Sequence, residues 1–176
     1  MMNDELEVLL TEDKIKERVK ELAQKISKDF AGEPLLVVGI LKGAFIFMAD
    51  LVRNLEMPVV IDFMDVSSYG YSTESSGEVR IMKDLEVPIE GKNVLIVEDI
   101  VDTGLTLQYI VSILKKRHPK SLRICAFLDK PSRRKTDVVP DYCGFVIPDK
   151  FVVGYGLDCA ERYRNLPWVA VLKQQD

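Results

Sequence analysis

Apolar residues along this chain switch between two rhythms. From Thr11 to Phe30 they recur at helical spacing, with Ile15, Val19, Leu22, Ala23 and Ile26 on one stripe and Lys and Glu opposite. That predicts an amphipathic helix capped by Thr11 and ended by Gly32. Pro34 to Leu41 is an unbroken, charge-free run that includes β-branched Val37, Val38 and Ile40, the signature of a buried strand; Lys42-Gly43 breaks it. Ala44 to Glu56 is helical again, with Phe45, Met48, Leu51, Val52 and Leu55 apolar. Pro58 to Val66 predicts a strand, and Val79 to Leu85 the returning strand of a ribbon. Between them, Ser67 to Glu78 has no period, many hydroxyls and two glycines, which fits a lid or a disordered loop; Tyr69 and Tyr71 favour the lid. After a turn at Val87 to Gly91, Val94 to Val97 reads as a strand, and Leu107, Ile110, Val111 and Leu114 as a helix closing near Arg117. Ser121 to Leu128, Tyr142 to Ile147 and Trp168 to Leu172 read as strands, with a frayed tail from Lys173 to Asp176. Recurring strand-turn-helix units predict an α/β fold, a single domain over 1–176 with an open, mainly parallel twisted sheet flanked by helices.

The densest chemistry lies between Asn93 and Leu107. An apolar strand runs into two acids, Glu98 and Asp99; a third, Asp102, opens Thr103-Gly104-Leu105-Thr106, and a helix follows. Such a turn offers free backbone N–H groups, two hydroxyls, and a glycine that admits close approach. The helix N-terminus adds partial positive charge, so the turn suits a phosphate. Carboxylates beside a phosphate make sense if they hold a sugar diol or a hard cation such as Mg²⁺ against it. The stretch therefore points to a ligand carrying ribose, phosphate and metal. The plainer account is that Asp102 or Thr103 merely caps the helix. Lys42 and Lys130 each stand at the C-terminal edge of a parallel strand, where the crevice of an open α/β sheet lies, although a solvated lysine explains either one. For Phe151 the plain account is core, and for Arg162 and Arg164 a solvated turn.

Composition narrows the class. The 176 residues are 47% hydrophobic and 30% charged, ordinary for a globular domain. A formal net charge of −4 gives no basic field for bulk nucleic acid or anionic membrane. No charge-free apolar run approaches a membrane span, and Met-Met-Asn-Asp-Glu-Leu-Glu lacks a signal core, so cytoplasm is expected. Three cysteines, Cys125, Cys143 and Cys159, have no Cys-x-x-Cys spacing, which argues against a zinc site or disulfide framework. The single histidine, His118, precedes Pro119 at a helix end and reads as a C-terminal cap.

Val97-Glu98-Asp99-Ile100-Val101-Asp102-Thr103-Gly104-Leu105-Thr106 resembles the phosphoribosyl pyrophosphate motif of type I phosphoribosyltransferases. With Leu41-Lys42-Gly43, Ser68-Tyr69, Lys130 and Pro148-Asp-Lys-Phe-Val-Val-Gly-Tyr155, nearly the whole chain resembles the bacterial purine-transferring members. The resemblance implies a small hood built from N- and C-terminal segments, mainly residues 130–176, and a flexible lid over about 68–83. It implies Mg²⁺-dependent transfer of phosphoribosyl to hypoxanthine or guanine, with no nucleic acid or membrane partner, by a homodimer or homotetramer.

Carried over by residue, Asp102 acts on the purine 7-nitrogen as general acid/base, and Glu98 and Asp99 hold the ribose hydroxyls, directly or through metal. Asp102, Thr103, Gly104, Leu105 and Thr106 bind the 5-phosphate. Lys42, Gly43 and Arg164 bind pyrophosphate, with a cis Leu41-Lys42 peptide in the family pattern. Lys130 donates to the purine 6-oxygen, Phe151 stacks on the base, Val152 bonds its edge, and Asp158 is a second metal acid. Ser68 and Tyr69 belong to the closing loop. Leu105 stands where some members have Lys, which leaves the phosphate to backbone N–H groups, Thr103 and Thr106.

Two other classes share fragments of this pattern. Asp102-Thr103-Gly104 is also the aspartic protease triplet, but there is one copy and helical spacing follows it. Leu95-Ile-Val-Glu-Asp99 echoes a receiver domain, but the remaining chain is short and strand-rich. No Gly-x-Gly-x-x-Gly or Gly-Lys-Ser/Thr motif is present. The main rival is a phosphoribosyl-pyrophosphate-sensing, RNA-binding regulator of the same fold; acidic balance and the purine-side match of Lys130 with Phe151-Val152 weigh against it.

Overall fold

The computed structural model describes residues 4–68 and 79–173. In chain order the elements are β1 (Glu5–Leu10), α1 (Glu12–Phe30), β2 (Leu35–Leu41), α2 (Phe45–Val52), β3 (Val59–Ser68), β4 (Val79–Lys83), β5 (Asn93–Val101), α3 (Leu105–Lys115), β6 (Ser121–Asp129), β7 (Tyr142–Val146), β8 (Val152–Val153) and β9 (Val169–Lys173). A 3-10 turn, Pro131–Arg133, follows β6.

Six strands form one sheet in the order β4-β3-β2-β5-β6-β7, all parallel except β4, which runs antiparallel to β3. The chain leaves β2 towards β3 on one side and later returns to β5 on the other. That reversal opens a crevice beyond the C-terminal ends of β2 and β5. Both faces of the sheet are covered. On one, Leu35 and Val37 of β2 pack with Ile15, Val19 and Leu22 of α1 and Phe47, Met48 and Leu51 of α2. On the other, Leu36, Val38 and Ile40 pack with Leu107, Ile110 and Leu114 of α3. The two-residue period of β2 thus feeds two cores, which explains its charge-free sequence. Gly39 gives α2 room, since a Cβ there would lie 2.3 Å from Met48 Sδ.

A second sheet, β1-β9-β8, is antiparallel and joins the two ends of the chain as the predicted hood. Strand β1 was not expected from the sequence: Glu5, Leu6, Glu7 and Val8 are mostly exposed and acquire strand geometry by pairing with Val169–Lys173. Val152, Tyr155, Leu157 and Val169 of the hood enter the same core as α1 and α2.

Other boundaries differ in instructive ways. Thr11 caps α1 through an Oγ1 that accepts from Lys14 N–H, as predicted, but Ala31, not Gly32, takes the first left-handed position at φ 47°. Its N–H donates to Ser27 and Lys28 carbonyls, and Gly32 follows at φ 81°. Helix α2 stops at Val52 rather than Glu56. There Asn54 closes the turn, its N–H donating to Leu51 O and its Nδ2 to Asp50 O. His118 sits at the end of α3 with φ 57°, its N–H donating to Lys115 O. Of the predicted lid, Ser68 ends β3 and 79–83 form β4; Tyr69 and the rest of the loop lie outside the described residues. No helix among the described residues is long and apolar enough to cross a membrane.

Candidate active site

Strand β5 does not stop at Val97. It continues through both acids to Val101, with Glu98 paired to Ala126 and Val101 to Asp129. Glu98 is 9% exposed. Burial, with the charge of Asp99 beside it, raises its carboxyl well above the usual carboxylate range. Burial also raises Asp99 to about 6, against hydrogen bonding from the Ile100 N–H and the attraction of Arg164. Asp99 is half-buried, whereas Glu98 is buried.

After Val101 the chain turns through Asp102, Thr103 and Gly104 into α3. Gly104, at φ 82°, is the N-cap, rather than Asp102 or Thr103 of the plainer account, and it offers no side chain to the first-turn N–H groups. Apart from the long bond of Leu105 N–H, the cap chemistry is left to a ligand. Glu98, Asp102, Thr103, Gly104 and Thr106 line one cavity of about 180 Å³ with Ile100, Val101 and Leu107. Thr103 Oγ1 accepts a long bond, 3.4 Å, from Leu105 N–H.

The outside of this turn is held by the segment that follows β6. Lys135 N–H donates to Thr103 O at 2.9 Å, and Arg134 Nε to Asp102 O at 3.2 Å. Arg134 also pairs with the Asp129 carboxylate and donates to Val138 O. Gly104 is required twice over, by its positive φ and because a Cβ would lie 2.3 Å from Thr136 Oγ1. The available signal was two adjacent arginines just beyond Lys130 in an acidic chain.

Across the crevice, the Leu41-Lys42 peptide is cis. Lys42 Nζ lies 3.2 Å from Glu161 Oε2, and Arg164 Nη2 lies 3.3 Å from Glu161 Oε1. Arg164 also donates through Nη1 to Gly156 O and sits 3.4 Å from Asp158 Oδ1, while its buried Nε has no hydrogen-bond partner. A guanidinium with an orphaned buried nitrogen is prepared for an anion. Glu161 was absent from the sequence candidates; it stands at φ 64°, its N–H donating to Asp158 Oδ2.

On the third side, Lys130 is 7% exposed, with Nζ 3.8 Å from Asp149 Oδ1. Its N–H donates to Val101 O, which ties it to the residue before Asp102. Phe151 is 48% exposed, a ring held open rather than packed in the core, and its carbonyl accepts from Leu172 N–H. Val152 is buried in β8 against Val171. Asp158 is turned to Arg164 and the Glu161 N–H, and no group of three metal-capable side chains occurs among the described residues. Glu98 and Asp99 nevertheless fit Mg²⁺, which is held by one or two carboxylates plus substrate oxygens rather than an all-protein cage. Gly43 lies against Asp99, where a Cβ would come within 1.8 Å of Oδ2.

A family model for the phosphoribosyl transferase domain matches residues 6–160. The hypoxanthine-guanine phosphoribosyltransferase of Bacillus subtilis (strain 168) is 53% identical over 174 residues, 98% of this chain and 97% of that one. That of Staphylococcus aureus (strain N315) is 54% identical over 175 residues, 99% of this chain and 98% of its own. A crystal structure of a hypoxanthine-guanine phosphoribosyltransferase from Bacillus anthracis aligns with TM-score 0.93 at 50% identity, covering 96% of this chain and 100% of that chain. The chain belongs to the phosphoribosyltransferase family, and within it to the hypoxanthine-guanine phosphoribosyltransferases.

Proposed function

We infer that this chain transfers the 5-phosphoribosyl group of phosphoribosyl pyrophosphate to the 9-nitrogen of hypoxanthine or guanine, releasing pyrophosphate, in purine salvage. One observation carries the reading. Glu98, near the end of β5, lines one cavity with the Asp102–Thr106 turn and the N-terminus of α3. Asp99 beside it lies against Gly43 in the Lys42-Gly43 turn of the neighbouring β2. A sugar bearing phosphate at one end and pyrophosphate at the other suits two anion-binding turns with acids between them.

The turn Thr103–Thr106 holds the 5-phosphate through backbone N–H groups and hydroxyls, with no cationic side chain at Leu105. Glu98 and Asp99 hold the ribose hydroxyls. Lys42, Gly43 and Arg164 hold pyrophosphate. Lys130 donates to the purine 6-oxygen, Phe151 covers the ring, and Val152 bonds its edge through its backbone. The base 9-nitrogen attacks the anomeric carbon as the pyrophosphate bond breaks. Positive charge then grows on the sugar ring, as in glycoside chemistry. Asp102 accepts the proton that the 7-nitrogen loses as the 9-nitrogen bonds to the sugar and passes it to solvent; in the reverse direction it supplies that proton. The chemistry Mg²⁺ would supply at Glu98 and Asp99, with Asp158 as a further acid, is neutralisation of the departing pyrophosphate. Ser68 and Tyr69 begin the loop that shuts water out. The working form is a cytoplasmic homodimer or homotetramer of one 176-residue domain.

Incubation with phosphoribosyl pyrophosphate, Mg²⁺ and each of hypoxanthine, guanine, xanthine, adenine and uracil tests this. Nucleotide is expected from hypoxanthine and guanine. Product from uracil alone, or from no base, overturns the reading.

A further inference from the structure

Arg133 points at Asp102. Its Nε lies 2.6 Å from Asp102 Oδ1, and its Nη1 lies 3.6 Å from Asp149 Oδ1, the oxygen that Lys130 Nζ approaches to 3.8 Å. Backbone bonds close the circuit. Lys130 N–H donates to Val101 O at 2.9 Å, and Arg133 N–H donates to Lys130 O at 3.1 Å. The ring of contacts therefore starts at Val101, passes through Lys130 and Arg133, and returns to Asp102, the next residue in sequence. Asp102 Oδ1 is buried, and the Arg133 N–H misses the alignment of a hydrogen bond to it. Yet the Asp102 side chain as a whole is 42% exposed, so its accessible surface lies away from Oδ1. The carboxylate is gripped through one oxygen and open elsewhere.

The neighbouring Arg134 has a different task, engaging Asp129, Val138 O and the backbone carbonyl of Asp102. Two adjacent arginines thus divide the work, one holding the phosphate turn and the other the side chain beside it.

We propose that Arg133 is a positioning residue for the transfer reaction: it fixes the Asp102 carboxylate relative to Lys130, so that one bound purine meets both the proton acceptor and the 6-oxygen donor. The proposal rests on the acid/base reading of Asp102. It differs from phosphate or pyrophosphate binding, since Arg133 touches neither the Thr103–Thr106 turn nor Lys42 or Arg164 in any recorded contact among the described residues. A guanidinium suits the task because its planar fork can hold two carboxylates in a fixed relation, which the point charge of a lysine does less well.

The experiment measures kcat and both KM values, with hypoxanthine and phosphoribosyl pyrophosphate, for Arg133→Ala, Arg133→Gln and Arg133→Lys. Each variant is made in the wild-type and the Asp102→Asn background, with single-turnover rates at excess enzyme for slow variants. Arg133→Ala and Arg133→Gln are expected to lower kcat roughly tenfold through misplacement of Asp102, leaving KM for phosphoribosyl pyrophosphate unchanged. Arg133→Lys should recover part of that loss. In the Asp102→Asn background, removing Arg133 should have little further effect, because the group it positions has lost its role. Unchanged kcat in both neutral variants overturns the proposal, as does an undiminished loss in the Asp102→Asn background. Full turnover by Asp102→Asn alone removes the underlying reading and is seen independently of any Arg133 variant.

Discussion

Gly43 and Asp99 meet across the crevice so closely that a Cβ on the glycine would lie 1.8 Å from Asp99 Oδ2. The close approach continues outward, since a Cβ on Gly156 would lie 2.2 Å from Gly43 O. Gly43 needs no unusual φ; space alone demands the glycine. Gly43→Ala must therefore displace either the β2 turn or the Asp99 carboxylate. Because near-attack geometry tolerates little error, kcat/KM is expected to fall about a hundredfold, with far-UV circular dichroism unchanged. Wild-type kinetics in Gly43→Ala would show that the turn can move without consequence for Asp99.

Glu161 divides its carboxylate between two cations, Lys42 through one oxygen and Arg164 through the other. Arg164 and then Lys42 hold its carboxyl below the usual range. An anion with one oxygen on each cation occupies charge that the proposed function assigns to pyrophosphate. Glu161→Gln keeps the shape and removes the competing charge. Kd for phosphoribosyl pyrophosphate should drop about threefold, most clearly at low ionic strength, since Glu161 and Lys42 are exposed and screened by salt. Titration calorimetry at two salt concentrations reads this directly; equal or weaker affinity at low salt would mean the carboxylate does not compete.

The contrast between those two pairs explains what was legible in the sequence. Strands β2, β5 and β6 and helices α1 and α3 were readable because each buries a continuous stripe or run, which imposes a period on its residues. The acids after Val97 and the turn from Asp102 to Thr106 were readable because local spacing alone builds that part of the site. Glu161 and Arg133 were not. Their roles depend on partners 119 positions away in one case and on a 3-10 turn folding back onto β5 in the other. Strand β1 was missed for a related reason: mostly exposed on both faces, it carries little period of its own and is defined by its pairing with β9.

Glu98 and Asp99 give the free protein a pH dependence of defined sign. Both carboxyls are raised on folding, mainly by burial, and Asp99 reaches about 6 from an ordinary 3.8. The native state therefore holds protons that the unfolded chain releases, and stability from this pair is lost as pH rises from the ordinary carboxylate range through about 6. In buffer containing a chelator, the melting temperature should be higher at about pH 5.5 than at about pH 8, each kcal/mol being worth about 2–4 °C. Glu98→Gln with Asp99→Asn should flatten the curve by raising its high-pH end. Scanning calorimetry of both proteins decides, and parallel curves would show that the pair is not the source.

Lys130 is buried to 7% exposure, with Asp149 3.8 Å away, so its ammonium is held in place rather than swept through solvent. A fixed cationic donor favours an oxygen acceptor and disfavours an amino group, and purines that differ at the 6-position differ in just that respect. Charge-assisted hydrogen bonds are worth roughly 1.5–3 kcal/mol, so Lys130→Ala should lower kcat/KM for hypoxanthine and guanine by about tenfold to a hundredfold. Adenine presents a donor where these bases present an acceptor, and whatever small rate it supports should fall far less. The measurement is kcat/KM for all three bases at saturating phosphoribosyl pyrophosphate, in wild type and variant. Proportionate losses for adenine and the 6-oxopurines would transfer the reading of the 6-position from Lys130 to the backbone around Val152, and the Arg133 circuit would then hold Asp102 in place without a matched donor on the other side of the base.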